Sequence, residues 1–221
     1  MTRWTTAADL HDLGPGTTLV TGPGSNWLVL RDGESCTPID CGHPNDRDLV
    51  DASIEAAGLG GLPGAVLVTH AHGDHIGTLG RYIAAGVPVH ISAAEFPDIT
   101  GTSREQIGPT EPLPRAVLSP GRAKWCLHAL DVPGAPRPEA TTGHTSYLIG
   151  DTGVLASGDA VVTGRLTSRH VGAPQVLADP FHHDLPEALL TAVRLLSEAE
   201  FDVLAPGPRP GAARSGRPAI R

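Results

Sequence analysis

The stretch Thr69-His70-Ala71-His72-Gly73-Asp74-His75 sets four side chains able to ligate a metal within six residues. It follows the apolar run Ala65-Val66-Leu67-Val68, which is short, β-branched and preceded by Pro63-Gly64, so the run reads as a buried strand. Alternate side chains of extended backbone share a face, so His70 and His72, just beyond that strand, can converge on one cation. Gly73 has no Cβ and lets the chain turn closely. Asp74 and His75 then point at a second position beside the first. Imidazole and carboxylate together suit zinc, and also iron or manganese. The plain alternative is a solvated polar loop whose histidines cap the next helix.

Two later motifs, Gly143-His144-Thr145 and Gly158-Asp159, accompany the loop. With them the chain resembles the metallo-β-lactamase superfamily, whose signature is His-x-His-x-Asp-His at a strand end. The likeness runs from about Thr17 to Gly207. It implies an α/β fold, a four-layer αβ/βα sandwich with two sheets face to face and helices outside. It also implies a first metal held by His70, His72 and His144, a second by Asp74 and His75, and Asp159 bridging both. The family's last motif, Pro-Gly-His, is missing, since the chain reads Pro206-Gly207-Pro208. The implied occupancy is one firmly bound Zn2+ and a second that is weak or absent, with Fe2+ or Mn2+ as other occupants.

An Asp at the bridging position resembles the thioester and lactone hydrolases of the family. The implied function is a zinc hydrolase that turns a metal-bound hydroxide on a small ester, thioester or lactone, with Asp74 orienting it or taking its proton. The absent last histidine would impair that activity. Two alternatives stay open. One is a mononuclear iron enzyme like the persulfide dioxygenases, using His70, His144 and Asp159. The other is a metal-binding member that turns nothing over. His170, His182 and His183 are candidates to replace the missing ligand, and His43 is a candidate to line the cleft, each with an ordinary structural reading beside it. Asp40, in Asp40-Cys41-Gly42, reads equally as an ordinary turn residue or, by the resemblance, as an acid that supports the metal site from behind its ligands.

The elements that must position these residues follow from periodicity and turn signals. Thr17–Val20 and Asn26–Leu30 read as strands, and Asp32-Gly33 as a hairpin into a strand over Cys36–Asp40. Asn45–Ala57 reads as an amphipathic helix with Leu49, Val50, Ile54 and Ala57 inward. A second helix is expected over Ile76–Ala85 and a strand over Val87–Ile91. Periodicity fades over Pro97–Lys124, which reads equally as a lid or a surface loop. Trp125–Leu130 alternates like a strand. Ser146–Ile149 and Val154–Ala156 form a hairpin. Leu185–Glu200 reads as a helix capped by Asp184 and Glu187, with Leu189, Val193, Leu196 and also Leu190 inward, before a last strand Asp202–Ala205.

With 221 residues, one domain over 1–205 is expected, followed by a disordered tail over 206–221. A net charge of -8 argues against nucleic-acid binding, and the partner expected is a small-molecule substrate. No apolar segment reads as a signal peptide or a membrane span, so the expected location is cytoplasmic. Cys36, Cys41 and Cys126 make an odd set that fits reduced thiols. Nothing specifies an oligomeric state. From Ala205 onward the chain contains only Ala, Pro, Gly, Arg, Ser and Ile, as out-of-frame GC-rich sequence tends to read. If Pro208 is encoded CCA, with CGG and then a C following, removing one base restores Pro-Gly-His-Gly. Another proline codon at 208 excludes that particular route, and the plain alternative is a naturally diverged, disordered terminus.

Overall fold

A period of two sorts the apolar residues of the strands onto opposite faces, and that sorting builds the layers. The computed structural model describes residues 10–57, 60–95, 143–164, 171–177, 184–207 and 213–214. In the first half these are β1 (Leu10–Gly14), β2 (Thr17–Thr21), β3 (Asn26–Asp32), β4 (Ser35–Ile39), α1 (Arg47–Ala56), β5 (Val66–Leu67), α2 (Gly73–Ile76), α3 (Leu79–Ala84) and β6 (Val89–His90). The strands form one sheet in chain order, antiparallel from β1 to β4 and parallel from β4 to β6. The second half supplies β7 (Tyr147–Ile149), β8 (Val154–Gly158), β9 (Val162–Gly164), β10 (Val171–Gln175), α4 (Leu185–Glu198), β11 (Val203–Pro206) and β12 (Ala213–Arg214). Its main sheet runs β12-β11-β8-β7, with β8 and β11 parallel, and β9 and β10 form a separate antiparallel ribbon.

Three apolar clusters separate four layers. Val20, Trp27 and Val29 pack under α1 with Leu49, Val50 and Ile54. Their strand neighbours Leu19 and Leu28 face the other way, meeting Val154, Ala156 and Ala205 of the second sheet. Leu155 and Leu204, on that sheet's far face, pack with Ala192 and the partly buried Leu185, Leu195 and Leu196 of α4. Helix, sheet, sheet and helix therefore stack in the expected αβ/βα order. Among the described residues no helix is long and apolar enough to cross a membrane.

Several local expectations need correction. The helix predicted from Ile76 begins at Gly73 and is split, α2 ending before a break at Gly77-Thr78 and α3 following. Asp74 and His75 thus lie within a helical turn and not in a loop. The buried face of α4 is also different: Leu189, Leu190 and Val193 are exposed, because Ala192, one position round, carries the contact with β8 and β11. In the second sheet Pro206 ends β11, and Ala213–Arg214 pairs with that strand as β12. β1, β9 and β10 carry too little alternation to be predicted. The candidates His170, His182 and His183, the stretch Pro97–Lys124, the strand Trp125–Leu130 and Pro208 lie outside the described residues.

Candidate metal centre

Parallel pairing brings strand ends together. β4 and β5 end on one edge of the first sheet, delivering Asp40 and the loop from Thr69. β8 and β11 end together on the second, delivering Asp159 and Gly207. Hydrogen bonds join the two edges. The Thr145 N–H donates to Thr69 O at 2.8 Å, and the Asn26 N–H donates to Gly207 O. The Tyr147 hydroxyl donates to Val68 O at 2.9 Å, and Asn26 Nδ2 to Pro206 O at 3.0 Å.

Asp40 organises the centre. Its φ of 64° is the one positive value for a non-glycine among the described residues, and its side chain is buried. The carboxylate accepts the Thr69 N–H at 2.8 Å, the Thr69 hydroxyl at 2.7 Å and His75 Nδ1 at 2.8 Å. A threonine hydroxyl has one proton, and here it goes to Asp40 Oδ2. In the 3.0 Å contact between Thr69 Oγ1 and His70 Nδ1, the imidazole must therefore donate. One carboxylate thus fixes two tautomers, leaving Nε2 of both His70 and His75 for the centre.

Those atoms meet others of ligand type. His70 Nε2 lies 2.9 Å from His72 Nδ1 and 3.7 Å from Asp159 Oδ2. Among the described residues, the ligand atoms of His70, His72 and Asp159 lie within 4.8 Å of one another. His75 Nε2 lies 3.0 Å from Asp159 Oδ1 and 3.8 Å from Asp74 Oδ2. Yet His75 Nε2 and Asp159 Oδ1 are both buried without a hydrogen-bond partner of acceptable geometry. Buried polar atoms are rarely left so, and two that face one space are what a cation would satisfy. The residues fit a metal.

Electrostatics agree with that fit. Burial, then neighbouring imidazoles led by His75, holds His70 well below its ordinary value. Burial likewise lowers His144 to about 4, against the opposing pull of Asp159. Burial also disfavours protonated His75, but Asp159, Asp74 and Asp40 outweigh it and raise that group well above its ordinary value. Burial favours a protonated Asp159, and the charge of His75 outweighs it and holds the carboxyl low. Around His75 the protein thus gathers negative charge that welcomes a cation, whereas His70 and His144 stay neutral and able to ligate.

His144 departs from the expected arrangement. Its ring lies 4.9 Å from that of His70, but its Nε2 accepts the Asp159 N–H at 3.1 Å. The cause is the turn at Gly158, whose φ of 50° presents that N–H to the imidazole; a Cβ at Gly158 would lie 2.5 Å from His144 Nε2. His43 does not line the centre. It is wholly buried as the cap of the turn Pro44–Asp46, its Nδ1 accepting the Asn45 N–H at 3.2 Å. Sequence reasoning passed over two residues. Thr69 could have been suspected from a hydroxyl next to a candidate ligand, whereas Glu95 carries no signal beyond an acid following a strand.

The Metallo-beta-lactamase superfamily model matches residues 20–207. A hydroxyacylglutathione hydrolase of Alkalilimnicola ehrlichii is 37% identical over 151 residues, 67% of this chain and 51% of that protein. "Probable metallo-hydrolase YflN" of Bacillus subtilis is 30% identical over 150 residues, 57% of this chain and 55% of that one. The chain spans about half the length of the curated relatives it matches. The solved di-iron-bound form of TTHA1623 superposes with a TM-score of 0.58 at 22% identity, covering 90% of this chain and 95% of that one, a likeness of fold. A match that starts in β2, ends after β11 and takes in the whole loop after β5 is more than a shared motif, and the chain belongs to the metallo-beta-lactamase superfamily.

Proposed function

We propose that the chain is a metal-dependent hydrolase of a small ester, thioester or lactone, with zinc as its ion. One observation carries this reading: among the described residues the ligand atoms of His70, His72 and Asp159 lie within 4.8 Å of one another, beside the buried and unpartnered His75 Nε2 and Asp159 Oδ1. His70, His72 and Asp159 would hold the ion, and His144 would join them by giving up its bond to the Asp159 N–H. Asp74, His75 and Asp159 are a poorer second set, to which Pro208 offers no donor. When bound, the ion supplies Lewis acidity, which polarises a carbonyl and makes water more acidic.

The chain's own residues do the rest. Asp40 Oδ2 keeps protons on Thr69 Oγ1 and His75 Nδ1, so the ring atoms facing the centre stay available. Asp74 is 21% exposed against 14% for Asp159, so it is the carboxylate better placed to take a proton from attacking water and release it to solvent. The Ser25 hydroxyl donates to Asp74 O and holds that turn in place. The curated relative named for hydroxyacylglutathione makes a glutathione thioester the first substrate to try.

The test is turnover of hydroxyacyl-glutathione, other thioesters and lactones before and after chelation. Turnover of one class should be lost on chelation and return with Zn2+. Asp74→Asn should lower kcat at least tenfold while shifting Tm little, because the shapes match and the proton acceptor is lost. Metal-loaded protein inert on every class, or Asp74→Asn as active as the parent with metal still bound, would overturn the reading.

A further inference from the structure

We infer that Glu95 is a positioning residue of the centre, its carboxylate setting the spacing between the His70–His72 loop and the His144 turn. Glu95 ends a tight turn after β6, its N–H donating to Ser92 O at 3.0 Å, and it is wholly buried. Oε2 accepts the Ala71 N–H at 2.8 Å, and Oε1 accepts the Gly143 N–H at 2.7 Å. Ala71 stands between His70 and His72, and Gly143 directly precedes His144. One side chain therefore grips the backbones of two ligand-bearing segments from different sheets. The approach is close, since a Cβ at Gly143 would lie 2.6 Å from Ala94 Cβ and 3.0 Å from Glu95 Cγ.

The chemistry requires a carboxylate. Both oxygens accept, and bonds to an ionised acceptor are stronger than neutral ones. Glutamine has one oxygen and one NH2, so one backbone N–H would face another N–H. Aspartate keeps the charge but is a methylene too short to span both amides. The Thr145–Thr69 bond also links the two segments, so loss of Glu95 would loosen the spacing without parting them.

The inference rests on the metal-binding reading above, and the experiment separates the two. Zn2+ affinity is measured by competition with a chromogenic chelator, and the Co2+-loaded protein by its visible absorption, for the full chain and for Glu95→Gln and Glu95→Asp. Both variants should bind Zn2+ about 10–100-fold more weakly and give an altered Co2+ spectrum. A wild-type chain that takes up neither metal defeats the metal-binding reading. Uptake by wild type, with either folded variant matching it in affinity and spectrum, defeats this inference alone. Native-state hydrogen exchange on the wild type is a check that needs no variant. The Ala71 and Gly143 amides should exchange slowly, and fast exchange at either would overturn the proposal.

Discussion

Asp40 carries more of the centre than any histidine does, although it faces no cation. It fixes His75 directly and His70 through the Thr69 hydroxyl, from a backbone conformation that few residue types accept. Asparagine tolerates that left-handed conformation, so Asp40→Asn tests the hydrogen bonds and leaves the backbone alone. Its amide would face the protons of Thr69 or His75 with an NH2 group. The expected result is about 1–3 kcal/mol less stability in urea and Zn2+ affinity about 10–100-fold weaker. Unchanged values on both counts would show that the tautomers are set elsewhere. The ligand loop was legible because His70, His72, Asp74 and His75 are neighbours in sequence. Asp40 could be placed only by resemblance, and although the hydroxyl of Thr69 beside His70 hinted at a supporting role, its partner is a carboxylate from another strand that the local sequence does not reveal.

At the scale of elements, β3 links the core to the centre. Its first residue, Asn26, bonds Pro206 O at the end of β11, and its second, Trp27, donates from Nε1 to Ser53 Oγ of α1 at 3.1 Å. Ser53 in turn donates to Val50 O. Trp27→Phe keeps most of the buried surface and removes one buried hydrogen bond, so it should cost about 1–3 kcal/mol. Metal affinity should stay unchanged, because the lost contact lies on the helical side of the sheet. Denaturant unfolding and metal titration of the same preparation check both halves, and a large loss of affinity would contradict this division. Strand positions were legible where a short apolar run stands between turn residues, as in β2, β3 and β8. The buried face of α4 was misread because apolar residues cover more than one of its sides, so periodicity alone did not choose between Leu189 and Ala192. The break between α2 and α3 was missed because the helical pattern runs on through Gly77-Thr78.

Over the whole molecule, two sheets bring together strand ends that are distant in sequence. The sandwich itself was legible through family resemblance, and mixed α/β character through periodicity. Resemblance brought His144 and Asp159 to the centre, but neither signal could supply the hydrogen bond between them or the reach of Glu95, which depend on how the second sheet docks across Leu19, Leu28 and Ile39. The centre therefore exists only in the folded chain, and a bound ion should stabilise that fold by mass action. The most direct measurement is native mass spectrometry of the full chain after gentle dialysis against metal-free buffer. One divalent ion should be retained per chain, on His70, His72 and Asp159 with His144, and a second should be lost. A chain that emerges folded with no ion, or that keeps two ions firmly, would contradict that expectation.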